Sequence, residues 1–226
     1  MLSTLAAAVV PSFGPLTVTT DADVELAPGS IIAANHTSLV DPAIVFAALR
    51  SLGVAPVVMA TAGLWRIPVL GRYLEREGHV PVHRHTIRAA EALEGAAAAL
   101  AAGRLVLIYG EGGLPPRKDA SEAGPGPFRR GLARLASTTG APVVPLGHAG
   151  ARRISSGGRT KQLAGLLTAG VRRPGAHVHV GMPFRLSDDA AAATARAHQA
   201  VTAAWKTAAE RLGLPSAPAP LRRTQA

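Results

Sequence analysis

Short apolar runs alternate along this chain with longer segments whose apolar positions recur every three or four residues. The short runs predict strands at Leu16–Thr20, Ile31–Asn35, Pro56–Ala60, Leu105–Tyr109, Pro142–Leu146 and Val178–Phe184, with a more alternating strand over His79–Arg84. Between them fall predicted helices: Pro42–Leu49, one from about Thr86 to Gly103 with Leu93 and Leu100 on one face, and one ending at Gly140. The apolar face of that third helix is Phe128, Leu132, Leu135 and Ala136. Ser187-Asp188 are read as opening a long Ala-rich helix to about Leu212. Strands apolar along both edges need cover on both faces. The pattern therefore predicts an α/β fold with a mostly parallel central sheet flanked by helices. In such sheets chemistry gathers at the carboxyl ends of the strands.

The same pattern divides the chain. Residues 1–30 form an N-terminal lead that can touch a membrane, 31–212 one globular domain, and 213–226 a Pro-rich tail expected to be disordered. The opening Met1–Phe13 is apolar but lacks a basic n-region and is expected to stop at Pro11, which argues against a cleaved signal. No uncharged run reaches the roughly 20 residues a bilayer needs. The expectation is a peripheral protein on the cytoplasmic face of a membrane, without a transmembrane helix. Gly63–Leu74 mixes Trp65, Ile67 and Tyr73 with Arg66 and Arg72, and suits either a core edge or a membrane interface.

Composition changes this picture in two ways. The 226 residues include no Cys, which excludes a disulfide framework, a thiol nucleophile and cysteine metal sites. The formal net charge of +10 calls for an anionic partner. Aromatic residues make up only 4%, and no nucleic-acid-binding motif is present, so nucleic acid is disfavoured as that partner.

Candidate chemistry starts at the end of the second predicted strand. There Asn35-His36 is followed, five residues after the histidine, by Asp41-Pro42, a pair that reads as a helix N-cap and first turn. Histidine exchanges a proton near neutral pH with little tuning. A carboxylate on its far nitrogen fixes the tautomer and stabilises the imidazolium. His36 and Asp41 are thus the minimum machinery for activating a hydroxyl. Asp41 as a mere cap is the competing interpretation.

A second cluster follows another predicted strand: Tyr109-Gly-Glu111-Gly112-Gly113, a glycine-rich turn carrying one carboxylate. With Asn35, His36 and Asp41, the strand ending in Arg84, the Val143-Val-Pro145 segment, and Phe128-Arg-Arg-Gly-Leu-Ala-Arg-Leu-Ala136, the chain resembles the glycerolipid acyltransferase family. That family contains the bacterial 1-acylglycerol-3-phosphate acyltransferases. Its Asn-His-x4-Asp motif is matched by residues 35–41. Its Phe-Pro-Glu-Gly-Thr-Arg motif is matched in part, with Gly113 and Leu114 in place of the Thr and Arg.

The resemblance implies a glycerol-3-phosphate acyltransferase-like fold. It also implies transfer of a fatty acyl group from acyl-CoA or acyl-carrier protein to a lysophospholipid, 1-acylglycerol-3-phosphate giving phosphatidic acid. His36 would be the general base and Asp41 its orienting partner. Asn35, Glu111, Gly112 and Gly113 would line the substrate site, with backbone N–H groups near His36 or in the glycine turn meeting the oxyanion. Arg84, aided by Arg117, would hold the acceptor phosphate, since a planar guanidinium suits phosphate. No cofactor or metal is expected, because a thioester is already activated. The altered third motif leaves a second reading: a family member with another acceptor, or one that binds lipid without catalysis.

Ala151–Gly175 carries Arg152, Arg153, Arg159, Lys161, Arg172 and Arg173 around an apolar Leu163–Val171, and is the expected face toward an anionic membrane. His79, His83 and His85, and separately His177 and His179, are close enough in sequence to suggest a metal, but carboxylates and cysteines to complete a site are lacking. A serine hydrolase is disfavoured, because no Gly-x-Ser-x-Gly elbow occurs.

Overall fold

The computed structural model describes residues 2–83, 89–115 and 121–215. Among these residues seven strands form one sheet in the order β1-β7-β6-β2-β5-β3-β4. They are β1 (Leu16–Thr20), β2 (Ile31–Ala34), β3 (Val57–Thr61), β4 (Val80–Val82), β5 (Val106–Tyr109), β6 (Val143–Ala149) and β7 (Ala176–Val180). β6, β2, β5, β3 and β4 all run the same way. β7 is antiparallel to β6, and β1 runs parallel to β7. The expected mostly parallel sheet is therefore present, with a reversed pair at one edge.

The apolar strand sequences follow from burial on both faces. Along β2, Ile32 and Ala34 join a core on one side of the sheet while Ile31 and Ala33 join the other, and all four are fully buried. The first side is covered by α1 (Leu2–Phe13), α2 (Asp41–Ser51), α6 (Ala151–Ile154) and α7 (Arg159–Arg172). The second is covered by α4 (Ala89–Ala101), α5 (Gly131–Thr139) and α8 (Ala190–Arg211). α4 turns Ala92, Ala96 and Leu100 inward, one residue per turn on one face. Small side chains there bring the helix close to the sheet. α8 comes closer still: a Cβ on Gly147 of β6 would collide with the backbone of Ala204 and Trp205.

Several boundaries differ from expectation. Pro11 lies inside α1 and does not end it. α8 is capped by Asp189, whose carboxylate accepts the Ala191 and Ala192 N–H groups at 2.8 Å, and not by Ser187-Asp188. Phe128 precedes α5, and its ring lies where a Cβ on Gly110 would be. Gly63–Leu74 forms a 3-10 turn (Ala62–Arg66) and α3 (Pro68–Arg76), with Leu74 buried and Ile67 and Val69 exposed.

Candidate active site

Because β2, β5 and β6 are parallel neighbours in the middle of the sheet, their carboxyl ends lie side by side at one end of it. His36 and Glu111 follow β2 and β5 there, and His148 is the penultimate residue of β6, toward the same end. Residues 75 and 113 apart in sequence thereby meet in one cluster.

Asp41 does not cap α2. The residue ahead of the helix is Val40, which makes no side-chain cap, and the Asp41 side chain folds back over the loop instead. Its Oδ2 accepts the Thr37 and Ser38 N–H groups at 2.5 and 2.8 Å and lies 2.9 Å from His36 Nδ1. Asp41 is fully buried. A buried carboxylate is costly unless it is hydrogen-bonded, and three donors converging on one oxygen offset that cost. They also fix the chemistry of the histidine. Facing an acceptor, His36 Nδ1 carries the proton, so Nε2 is left with its lone pair to take one. The ring keeps 15% of its side-chain surface exposed and stacks on Tyr109 at 4.4 Å between centroids.

Glu111 completes the pair's setting. Its Oε1 accepts the backbone N–H of His36 at 3.1 Å, and its Oε2 is buried. Burial first, then the neighbouring Asp41, push its carboxyl up to about 8, although backbone N–H groups of His36, Glu111 and Gly126 pull it down. Glu111 is thus neutral near pH 7. The turn beyond it depends on Gly112, which has φ +67° and donates its N–H to Tyr109 O at 3.0 Å. Arg129, which the sequence pattern did not single out, lies over Gly112 and donates from Nε to Glu111 O at 3.3 Å.

Two expectations about individual residues change. Asn35 is fully buried, and its amide is engaged at both ends: Nδ2 donates to His148 O at 3.0 Å and Oδ1 accepts His148 N–H at 2.9 Å. Its visible task is to tie β2 to β6. The backbone donors expected to meet an oxyanion near His36 are also already used, with His36 N–H on Glu111 and Thr37 and Ser38 N–H on Asp41. Gly112 N–H is used as well. Arg84 and Arg117 lie outside the described residues.

Arg152, expected on a membrane face, is instead 3% exposed and donates to Thr37 O at 3.0 Å and Ser121 O at 2.8 Å. It braces the histidine loop from below. The histidines weighed as metal ligands have protein partners. His79 Nδ1 accepts Val58 N–H at 3.0 Å, and His177 and His179 bond Thr17 and Thr19 across β1 and β7. His85 lies outside the described residues.

A histidine with one nitrogen on a buried aspartate and the other bare, set at the carboxyl edge of a parallel sheet beside a glycine turn, defines an α/β protein equipped to activate a hydroxyl. The sequence matches the family described as Acyltransferase over residues 15–149, and the chain belongs to that family. The match spans the His36–Asp41 loop, the Glu111 turn and His148. No curated protein matches the sequence. Among solved structures, the chain resembles the 1-acyl-sn-glycerophosphate (LPA) acyltransferase PlsC from Thermotoga maritima, with a TM-score of 0.70 and 20% identity. The likeness covers 93% of this chain and 78% of that one, and shows that the two share a fold.

Proposed function

We propose that this acyltransferase moves a fatty acyl group from a thioester, acyl-CoA or acyl-carrier protein, to the hydroxyl of a lysophospholipid, with 1-acylglycerol-3-phosphate as acceptor and phosphatidic acid as product. The observation that carries the reading is the 2.9 Å contact between His36 Nδ1 and buried Asp41, which leaves Nε2 bare beside the Glu111 turn. His36 Nε2 takes the acceptor's hydroxyl proton as its oxygen attacks the thioester carbonyl. The C–S bond then breaks, and the imidazolium returns the proton to the departing thiolate. Asp41 stabilises the imidazolium between these steps. Gly113 N–H, in the glycine turn, is the oxyanion donor consistent with the bonds already made around His36.

Arg84 and Arg117 are assigned to the acceptor phosphate, and Arg129 brings a further guanidinium to the turn that lacks the arginine of the family's third motif. Replacing Arg84 with Ala should raise the acceptor's KM at least tenfold with little change in kcat. An unchanged KM removes the phosphate role.

The enzyme is proposed to work as a peripheral protein on an anionic membrane surface at the cytoplasmic face. No described helix is long and apolar enough to cross a membrane. α7 exposes Leu163, Leu167 and Val171, spaced one helical turn apart, with Lys161, Arg172 and Arg173 also at the surface. α7 follows α6, whose neighbour Ser155 accepts the Ser38 Oγ–H at 2.6 Å. A lipid-contacting helix is thus linked to the histidine loop.

The test is a lipid-product screen with several lyso-acceptors against both donors, with the His36→Ala protein as control. Phosphatidic acid formed by the wild type and absent with the variant is expected. Transfer only to an acceptor without phosphate supports the alternative acceptor reading. Binding of lipid without any transfer supports a non-catalytic member.

A further inference from the structure

Behind Asp41 lies a second imidazole. His148 is fully buried, its Nε2 is 2.8 Å from Asn35 O and 3.7 Å from Asp41 Oδ2, and its Nδ1 has no partner among the described residues. A carbonyl oxygen can only accept, so the proton of a neutral His148 is on Nε2 and Nδ1 is bare. The positive end of that N–H dipole lies against the carboxylate's bonded oxygen, while Asp41 Oδ1 has no partner of its own among the described residues. Both imidazoles thus meet the same oxygen, Oδ2, of a fully buried carboxylate.

The Asn35 carbonyl belongs to the peptide unit that ends in the His36 N–H. His148 grips that unit by its oxygen, and Glu111 grips it by its hydrogen at 3.1 Å. The plane from which the His36 side chain departs is thus pinned at both ends by residues of neighbouring strands. The Asn35 amide ties down the backbone of His148 in return. Facing His148 from other elements are Asp41, the first residue of α2, and the buried carboxyl of Glu122, which accepts Gly150 N–H at 3.1 Å and the Trp205 Nε1–H at 3.3 Å.

We infer that His148 is a positioning residue for hydroxyl activation: its Nε2–H fixes the Asn35–His36 peptide and backs the Asp41 carboxylate, so that His36 presents Nε2 in one orientation. The inference rests on the His36–Asp41 reading above. It makes a chemical distinction that simple packing does not. Glutamine can place an amide N–H near the position of histidine Nε2, whereas asparagine mimics only Nδ1.

The first measurement is independent of activity. Long-range ¹⁵N–¹H spectra of the histidine-labelled protein, with His148 assigned by its loss in His148→Gln, should show the Nε2–H tautomer. An Nδ1–H tautomer overturns the inference.

The second is steady-state acyl transfer by His148→Phe, His148→Gln and His148→Asn, with folding checked by thermal unfolding and His36→Ala run alongside. His148→Phe and His148→Asn should lose at least tenfold in kcat with both KM values within twofold of wild type. His148→Gln should recover most of that loss. If His148→Phe does not fold, the Gln-to-Asn comparison decides. Full kcat in His148→Asn, or a Gln variant no better than Asn, overturns the positioning role while an inactive His36→Ala leaves the His36–Asp41 reading standing. An active His36→Ala instead removes that reading.

Discussion

Glu111 accepts the backbone N–H of His36 at 3.1 Å, joining the tips of two adjacent parallel strands through residues 75 apart in sequence. This bond depends on the strand register: Ala34 pairs with Tyr109, which sets the next residues of each chain level with one another. The carboxyl is therefore used first as architecture, and its protonation state follows from where that architecture puts it.

Stability should consequently fall as pH rises toward alkaline values. The Glu111 carboxyl is raised from an ordinary 4.5 to about 8 in the folded protein. Between those values the folded state binds a proton the unfolded chain has released, so ΔG of unfolding decreases with rising pH. The contribution is fully present below 4.5 and is lost by the time pH has risen through 8. Glu111→Gln, which keeps an oxygen for the His36 N–H but does not ionise, should flatten the stability profile over that window. Urea unfolding at several pH values measures it, and parallel profiles for both proteins would refute this role of burial.

Asp41→Asn tests the charge behind His36. With its amide oxygen in the Oδ2 position the side chain can still accept the Thr37 and Ser38 N–H groups and face His36 Nδ1, but it is neutral and no longer stabilises the imidazolium. The protein should fold while kcat falls by roughly 10²–10⁴, the range typical of a lost general base. Circular dichroism with initial rates checks both halves.

Gly147→Ala should destabilise without touching the site's side chains. The new methyl meets the α8 backbone at Ala204 and Trp205, which cannot rotate away as a side chain would. Overpacking of a tight core costs about 1–3 kcal/mol, and a backbone obstacle places this substitution at or above the upper end. A thermal unfolding curve compared with wild type gives the value.

The α7 surface predicts salt-sensitive lipid binding. Leu163→Glu with Leu167→Glu should abolish sedimentation with anionic liposomes, because it removes two of the exposed apolar side chains and reverses local charge. Arg173→Ala should weaken it by about 1 kcal/mol, or roughly fivefold. Equal binding of the wild type to neutral and anionic vesicles would sink the electrostatic part.

The likeness to a solved acyltransferase at 20% identity shows how much of this fold survives sequence change. In this chain the layers follow from one pattern: strands apolar on both faces, and helices with one small, apolar stripe. That pattern is written locally, in the period of the side chains, so runs such as Ile31–Ala34 and Val106–Tyr109 could be read directly. The His36–Asp41 pair was legible for the same reason, since both partners lie within one loop.

Other features were not local. A capping aspartate and a histidine-orienting one have the same sequence surroundings, and only the turn geometry sends the Asp41 carboxylate back over Thr37 and Ser38. Arg152 looked like one more surface cation until α6 folded it under the histidine loop. His148 carried no motif at all; it acquires significance only because β6 pairs with β2, bringing its ring to Asn35 and Asp41. The sequence alone determined the layers, the strand–helix alternation that calls for a mostly parallel sheet, and the His36–Asp41 pair, because those depend on neighbours along the chain. The buried support of that pair was decided by strand order and register, which depend on contacts between segments more than a hundred residues apart.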